Sequence, residues 1–281
     1  MDIKPIYSAL MRNKAGLALI VLQVAITLAV VCNSLFIIVE RSELVARPSG
    51  MDEANTFRLA SLGFVRDYDL KSAIRQDLDL IRSLPGVAAA TLTNTVPTSN
   101  GGWSTGVDTQ PLERGSGKDQ IGSALYFADE QTIEAFGTRL IEGRNFRAEE
   151  ITDSVRETGI QFDSVIVSEA LAKALVPEGS AVGKVIYGIS DDTSPKTIIG
   201  VVDRLQMPWP GAEEVEHSTL VPTRNLGENY SFYVVRAEPG QRDLVMKEVE
   251  AKLQAAKPGR IIRGVRTVES VRADAYRDDH A

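Results

Sequence analysis

The feature that most constrains this chain is an uncharged apolar stretch near its N-terminus. Residues 17–39 contain no Asp, Glu, Lys or Arg, and as a helix they are long enough to cross the roughly 30 Å hydrocarbon core of a bilayer. A cleaved signal peptide is the alternative, but its apolar core is only about 7 to 15 residues long and a small-residue cleavage site follows it. Here charged residues follow instead (Glu40, Arg41 and Glu43). We therefore predict a retained transmembrane helix over residues 16–40.

The residues before this helix indicate its orientation. Residues 1–15 form a short amphipathic lead that carries Lys4, Arg12 and Lys14 against Asp2, a net charge of +2 that leaves −9 for the rest of the chain. Basic residues on the N-terminal flank favour a cytoplasmic N-terminus. Residues 41–281 are then expected outside the cytoplasm, and the lead is expected to lie along the lipid surface.

One face of the predicted helix is small and polar. At 100° per residue, four of its residues fall within about 40° of one another: Gly16, Gln23, Thr27 and Ser34. Such a stripe is typical of helices that pack against a neighbouring helix in the membrane. Single anchors also tolerate a few polar residues, so both interpretations stay open.

Composition excludes several classes of protein. The net charge of −7 and the pI near 5.1 argue against nucleic-acid binding, which needs clustered Lys and Arg. The one cysteine, Cys32, lies in the apolar stretch, so neither an intrachain disulfide nor a cysteine-ligated metal site is expected.

Beyond the helix the sequence predicts an α+β fold. After a polar linker over residues 46–54, residues 55–102 have a strand–helix–strand pattern, with apolar residues every three or four positions from Leu70 to Leu84. Residues 226–270 repeat this pattern, which suggests two related halves packed together. The strands of the two halves are predicted at residues 57–65, 87–95, 231–236 and 261–268. Residues 103–225 between them predict a strand-rich insertion, with short strands at residues 165–167, 184–187 and 197–202 and one short helix at residues 168–175.

A search for catalytic, cofactor-binding and metal-binding motifs identifies no site. The segment from Gly179 to Val185 has three residues between its glycines instead of four, and Val185 stands where a phosphate loop has Ser or Thr. No dinucleotide fingerprint, Gly-x-Ser-x-Gly elbow or pair of closely spaced histidines occurs. Trp103 and Trp209 lie in loop contexts and are candidate partner contacts, although burial in the local core is the favoured interpretation for both.

Several short segments, in this order along the chain, resemble the MacB/FtsX-type permeases of ABC transporters. They are the basic lead and apolar helix, Ser83–Val87, Tyr126–Phe127 with Phe136–Phe146, Val165–Leu171, Ala181–Lys184 and Ile199–Val202. The resemblance covers most of the chain: the first transmembrane helix and a MacB-like periplasmic core domain.

The resemblance implies a permease subunit in a bacterial inner membrane. The two halves correspond to the Porter-like part of the domain and the insertion to its Sabre-like part. Implied partners are a cytoplasmic ABC ATPase subunit, a second permease subunit forming a dimer, and a periplasmic adaptor. The domain itself is expected to hold no catalytic residue, because the ATPase partner would hydrolyse ATP.

The resemblance is incomplete at the C-terminus, where family members carry three more transmembrane helices and no second apolar span appears here. A truncated permease is the favoured explanation. The alternatives are a stand-alone, single-span anchored binding or adaptor module and, third, an extracytoplasmic hydrolase. The transported substrate is not readable from the sequence.

Overall fold

The computed structural model describes residues 14–66, 68–111, 120–154, 161–189, 193–225, 230–256 and 259–277. The predicted amphipathic lead lies almost entirely outside these residues. The chain divides into two compact units, residues 1–47 and 48–281, which are described separately below.

The first unit contains one long helix, α1 (Lys14–Ala46), with no buried residue. It is long and apolar enough to cross a membrane by length and composition. The helix extends beyond the predicted 16–40 at both ends and includes the charged residues after Val39, because residues 40–46 contain no Gly or Pro that would end it.

The second unit is a mixed domain of strands and shorter helices. In chain order its elements are β1 (Thr56–Gly63), α2 (Leu70–Ser83), β2 (Val87–Thr93), β3 (Trp103–Val107), β4 (Ile121–Phe127), α3 (Thr132–Phe136), β5 (Leu140–Gly143), a 3₁₀ turn (Ala148–Glu150), β6 (Thr152–Ser154), β7 (Ser164–Ser168), α4 (Glu169–Leu175), β8 (Val185–Ile186), β9 (Lys196–Val202), β10 (Ser218–Val221), β11 (Thr223–Asn225), β12 (Tyr230–Ala237), α5 (Arg242–Ala256), β13 (Arg260–Thr267) and α6 (Val268–Ala275).

The two strand–helix–strand patterns interlock in one antiparallel sheet, called sheet A, with the order β13–β1–β12–β2. Strand β1 of the first pattern lies between β12 and β13 of the second, so neither pattern forms a sheet of its own. Helices α2 and α5 cover one face, where Phe57 and Tyr233 of the sheet pack against Ile74 and Val249. Successive side chains of a strand point to opposite faces of its sheet, so only alternate residues of these strands reach the helices.

The central residues form a second, mixed sheet, called sheet B, with the order β3–β4–β10–β7–β9–β5 and β8 paired to β9. Strands β6 and β11 form a separate parallel pair. Ala60 and Val234 of sheet A share a core with Tyr126 and Ile166 of sheet B. Helix α4 contributes Leu171 to a further core that includes Val165 and Ile198 of sheet B. The domain is therefore layered. Helices α2 and α5 pack on sheet A, sheet A packs on sheet B, and α4 packs on sheet B.

The α+β class and the apolar N-terminal helix are confirmed. The predicted strands and helices of the outer patterns match β1, α2, β2, β12, α5 and β13 within about two residues, which is ordinary end uncertainty. Of sheet B, the sequence predicted β7, β8 and β9 but not β3, β4, β5 or β10.

Candidate functional site: the entry segment

The first residues of the domain, Pro48–Ala54, are called the entry segment. Only Arg47 separates them from the last residue of α1. The sequence predicted a polar linker here, but Ser49 is only 2% exposed and the segment is bound to the rest of the domain along its length. A slack linker would leave its backbone groups to water.

Hydrogen bonds to its backbone carbonyls join the entry segment to the residues that follow β9 of sheet B. Beyond β9, Gln206 donates from Nε2 to the carbonyl of Pro48 at 3.0 Å, and its backbone N–H donates to the carbonyl of Ser49 at 2.8 Å. Gly50 has φ +88°, and a Cβ there would lie 2.1 Å from the carbonyl oxygen of Arg204. Only glycine allows this conformation and this approach.

The Arg204–Gln206 segment is itself fixed by three buried or half-buried side chains. Thr138 donates to the carbonyl of Arg204 at 3.0 Å and Ser218 to that of Leu205 at 2.9 Å. The hydroxyl of Tyr126 donates to the carbonyl of Gln206, and burial raises the pKa of this tyrosine well above its usual value. The segment that binds the entry segment is therefore itself bonded to β4 and β10.

The same segment is joined to sheet A through α3. The backbone N–H of Asp52 donates to the carbonyl of Phe136 at 2.8 Å. Gly137 ends α3 with φ +70°, and a Cβ there would lie 2.5 Å from that of Asp52. Arg236 of β12 donates to the carbonyl of Glu134 at 2.6 Å. These contacts connect the segment, through α3, to β12 of sheet A.

The last helix of the domain returns to the entry segment. Arg272 of α6 donates to Glu53 at 2.7 Å, and both side chains are less than a quarter exposed. Arg242 of α5 donates to the carbonyl of Ala54 at 2.8 Å and to Glu269 of α6 at 2.7 Å. The hydrogen bond to Glu269 raises the pKa of Arg242. The entry segment is thus bonded to both α5 and α6, the last two helices of the described residues.

Sequence reasoning did not find this site. Its members are backbone carbonyls, left-handed glycines and ion pairs between residues more than two hundred positions apart. The one local signal was the Pro48–Ser49–Gly50 run, since Gly following Pro and Ser is typical of a chain that turns sharply.

The predicted helix-packing residues all lie on α1. The hydroxyls of Thr27 and Ser34 donate to the carbonyls of Gln23 and Val30, four residues earlier, at 2.9 and 2.8 Å. Both hydroxyls therefore have partners within their own helix. Packing of the Gly16, Gln23, Thr27 and Ser34 stripe against another helix stays a prediction.

The two tryptophans differ in environment. Trp209 is half-buried and packs against the core between the sheets, whereas Trp103 on β3 is 52% exposed. The predicted loop context is therefore wrong for Trp103, which begins a strand. The loop before β3 is joined to the loop of Trp209, because the N–H of Asn100 donates to the carbonyl of Pro208 at 2.9 Å. A role in partner contact stays a prediction for both.

Across the described parts of the chain, no group of three or more His, Cys, Asp or Glu side chains is placed to hold a metal ion. The site consists of hydrogen bonds and an ion pair that fasten the first residues of the domain to both of its sheets. A helix of membrane-spanning length followed by a folded domain defines a membrane-anchored protein.

The comparisons name the family. Residues 19–252 match the model of the MacB-like periplasmic core domain, and the chain belongs to this family, which is a permease periplasmic domain of ABC transporters and not a catalytic enzyme family. A search of curated proteins finds no match.

Three solved structures are similar to the chain at low identity. The extracellular domain of the noncanonic ABC-type transporter YknZ from Gram-positive bacteria is 16% identical, with 74% of this chain and 100% of that chain covered and a TM-score of 0.44. The periplasmic region of MacB from Actinobacillus actinomycetemcomitans is 15% identical, with 83% and 97% covered and a TM-score of 0.45. A domain of a putative permease protein from Porphyromonas gingivalis is 18% identical, with 75% and 89% covered and a TM-score of 0.39.

Proposed function

We propose that this chain is the permease subunit, or part of it, of a MacB-like ABC transporter in a bacterial inner membrane. Its N-terminus faces the cytoplasm and its domain the periplasm. A cytoplasmic ABC ATPase subunit hydrolyses ATP, a second permease copy completes a dimer, and the movement of α1 changes the conformation of the periplasmic domain. The output is export or mechanical signalling, in which a periplasmic adaptor takes part.

The observation that carries the proposal is the entry segment. A helix connected by a flexible linker transmits little displacement, because the linker absorbs it. Here the residue after Arg47 already accepts a hydrogen bond from Gln206, and within seven residues the chain is fastened to sheet B, α3 and α6. Family membership supplies the ATPase-driven context.

The test measures the distance between the two domains in each nucleotide state. A spin label is placed on the exposed Lys252 of α5, as Lys252→Cys with Cys32→Ser, and the full chain is purified with its ATPase into nanodiscs. Electron–electron resonance should show one inter-copy distance without nucleotide and a different one with ATP and vanadate. An unchanged distribution would contradict the proposal, provided that ATP is hydrolysed.

A two-residue insertion isolates the role of the attachment. Gly-Gly inserted between Arg47 and Pro48 should leave ATP hydrolysis within about twofold and abolish the nucleotide-dependent distance change, because the insert decouples helix from domain. The control is the same insertion after Gly179, an exposed position where an added Cβ meets nothing within 4 Å. Loss of the distance change in the control, or its retention in the first variant, would show that the entry segment does not transmit the movement.

The alternative is a stand-alone anchored binding or adaptor module. The half-exposed Trp103 favours it, because tryptophan is among the side chains enriched in the residues that contribute most to binding at protein interfaces. Absence of any ATPase in the purified complex, together with a single inter-copy distance, would select this alternative.

A further inference from the structure

A cavity of about 190 Å³ lies where the two sheets of the domain meet. Tyr230 and Phe232 of β12 and Leu92 of β2 line it from sheet A, and Trp103 of β3 and Phe127 of β4 line it from sheet B. The rings of Trp103 and Phe127 pack edge to face with centroids 5.5 Å apart. Four aromatic rings thus converge on one space.

The walls of this aromatic cavity are held in place without a ligand. The side-chain amide of Asn94 donates to the carbonyl of Leu125 at 2.9 Å, and its oxygen accepts from the N–H of Phe127 at 2.8 Å. These two bonds fasten the end of β2 to β4 across the cavity. Small-molecule sites are typically preformed and largely apolar in this way, with a few polar groups that orient the ligand.

The size and chemistry of the cavity limit what it can hold. A dry apolar cavity of about 150 Å³ is known to accept benzene, so this one has room for a single aromatic ring with a small substituent. Edge-to-face packing against several rings favours an aromatic occupant over an aliphatic one of equal size. The guanidinium of Arg58 lies 5.3 Å from the centre of the Phe232 ring, which disfavours a cationic ligand.

Tyr230 carries the hydroxyl of the lining that we match to a ligand's polar group. The residue is half-buried; burial raises the pKa of its hydroxyl, and the guanidinium groups of Arg58 and Arg263 act in the opposite direction. The amide oxygen of Asn94 and one of its amide N–H groups, by contrast, are already bonded to β4. A ligand hydroxyl or ring N–H is therefore best matched to Tyr230.

We infer that this cavity is a binding site for a small, non-cationic aromatic molecule that carries one hydrogen-bonding group, such as a phenol. The existence of the site does not depend on the ATPase or on the movement proposed above, because every wall residue belongs to the domain formed by residues 48–281.

The chain's two tryptophans allow a direct test. The full chain in nanodiscs is labelled with 5-fluorotryptophan, its two fluorine resonances are assigned with Trp103→Phe and Trp209→Phe, and phenol is titrated in. Phenol should shift the Trp103 resonance with saturation in the millimolar range expected for so few atoms and leave Trp209 unchanged. Cyclohexanol, which has the same size and hydroxyl but no aromatic ring, should bind at least about fivefold more weakly.

Two variants test the assigned geometry. Tyr230→Phe keeps the ring and removes the hydroxyl, and should weaken phenol binding about fivefold, the usual effect of one neutral hydrogen bond. Phe64→Leu changes an aromatic residue that is 62% exposed and lies outside the cavity, and should leave the affinity unchanged.

Several results would overturn the inference. They are a Trp103 resonance that does not move, equal and unsaturable shifts of both tryptophans, and equal binding of cyclohexanol and phenol. Saturation by the peptide Gly-Phe-Gly without any response to phenol would also overturn it, because the site would then recognise a protein side chain.

Discussion

A buried ion pair links α2 to β13, and its removal provides the strongest test of how the two strand–helix–strand patterns are held together. Asp77 and Arg260 are each 3% exposed. A guanidinium nitrogen of Arg260 donates to both carboxylate oxygens of Asp77, and the hydroxyl of Tyr233 donates to the same carboxylate at 2.8 Å. The second terminal nitrogen of Arg260 donates to the carbonyl of Leu253 at 2.6 Å. Four elements therefore meet at one charge pair.

Replacing one partner leaves the other charge buried without compensation. Arg260→Met or Asp77→Leu alone should each reduce the free energy of unfolding by about 3 to 5 kcal/mol, a large share of the 5 to 15 kcal/mol typical of a domain. The double variant removes both charges and should cost no more than about 2 kcal/mol, chiefly because the Tyr233 hydroxyl loses its acceptor.

The assay is urea unfolding of the full chain in nanodiscs, followed by near-UV circular dichroism, at pH 7. The exposed pair Arg139–Asp203, whose side chains are 75% and 42% exposed, supplies the control, and Arg139→Met should change stability by less than about 1 kcal/mol. Additive effects of the two buried substitutions, or single effects as small as the control, would refute the reasoning.

Three further substitutions, one of them with a matched control, test local features. Gly50→Ala should destabilise the domain by at least about 2 kcal/mol in the same assay, because its Cβ would overlap a carbonyl oxygen at 2.1 Å, whereas Gly179→Ala, with a similar φ and open space, should cost only about 1 kcal/mol. Thr98→Gly should stabilise the domain by about 1 kcal/mol, since Thr98 combines φ 60° with a buried hydroxyl that finds no hydrogen-bond partner among the described residues; a lower urea midpoint would contradict this. The hydrogen bond from Arg144 lowers the pKa of Glu150 to about 2, so its contribution is present above pH 4.5 and lost as the pH falls from 4.5 towards 2. Glu150→Gln should remove this acid-dependent loss, at most about 1 kcal/mol because the pair is partly exposed, and identical acid titrations of variant and parent would count against it.

The outer elements of the domain were predictable because their sequence patterns are local. Helix α2 buries Ile74, Leu78 and Ile81 at helical spacing, begins where the carboxylate of Asp69 accepts from the N–H of Ser72 and ends just before a left-handed glycine, Gly86. Each of these signals is readable within about four residues.

Sheet B was only partly predictable for a physical reason. Strand β4 contains Gly122 and Ser123 at its start, and β10 consists of four buried residues that include Ser218 and Thr219. Ser123 and Thr219 satisfy each other by a hydrogen bond at 2.8 Å between neighbouring strands. Polar residues make these segments look unlike buried strands in the sequence. Their hydroxyl groups find hydrogen-bond partners only when the strands pair in the folded domain.

The movement proposed for the entry segment and ligand binding in the aromatic cavity should affect each other, because both involve the two sheets. The entry segment is fastened to sheet B through Gln206 and to sheet A through α3, while the cavity is lined by residues of both sheets. A helix movement that shifts one sheet against the other changes the shape of the cavity, and a shape change alters the affinity for an occupant. Linkage makes this effect reciprocal, so phenol should bind with different affinities in the nucleotide-free and vanadate-trapped states and should bias the inter-copy distance towards the state it prefers. The Gly-Gly insertion after Arg47 should remove this difference while leaving phenol binding itself intact, which separates the transmission of movement from the existence of the site.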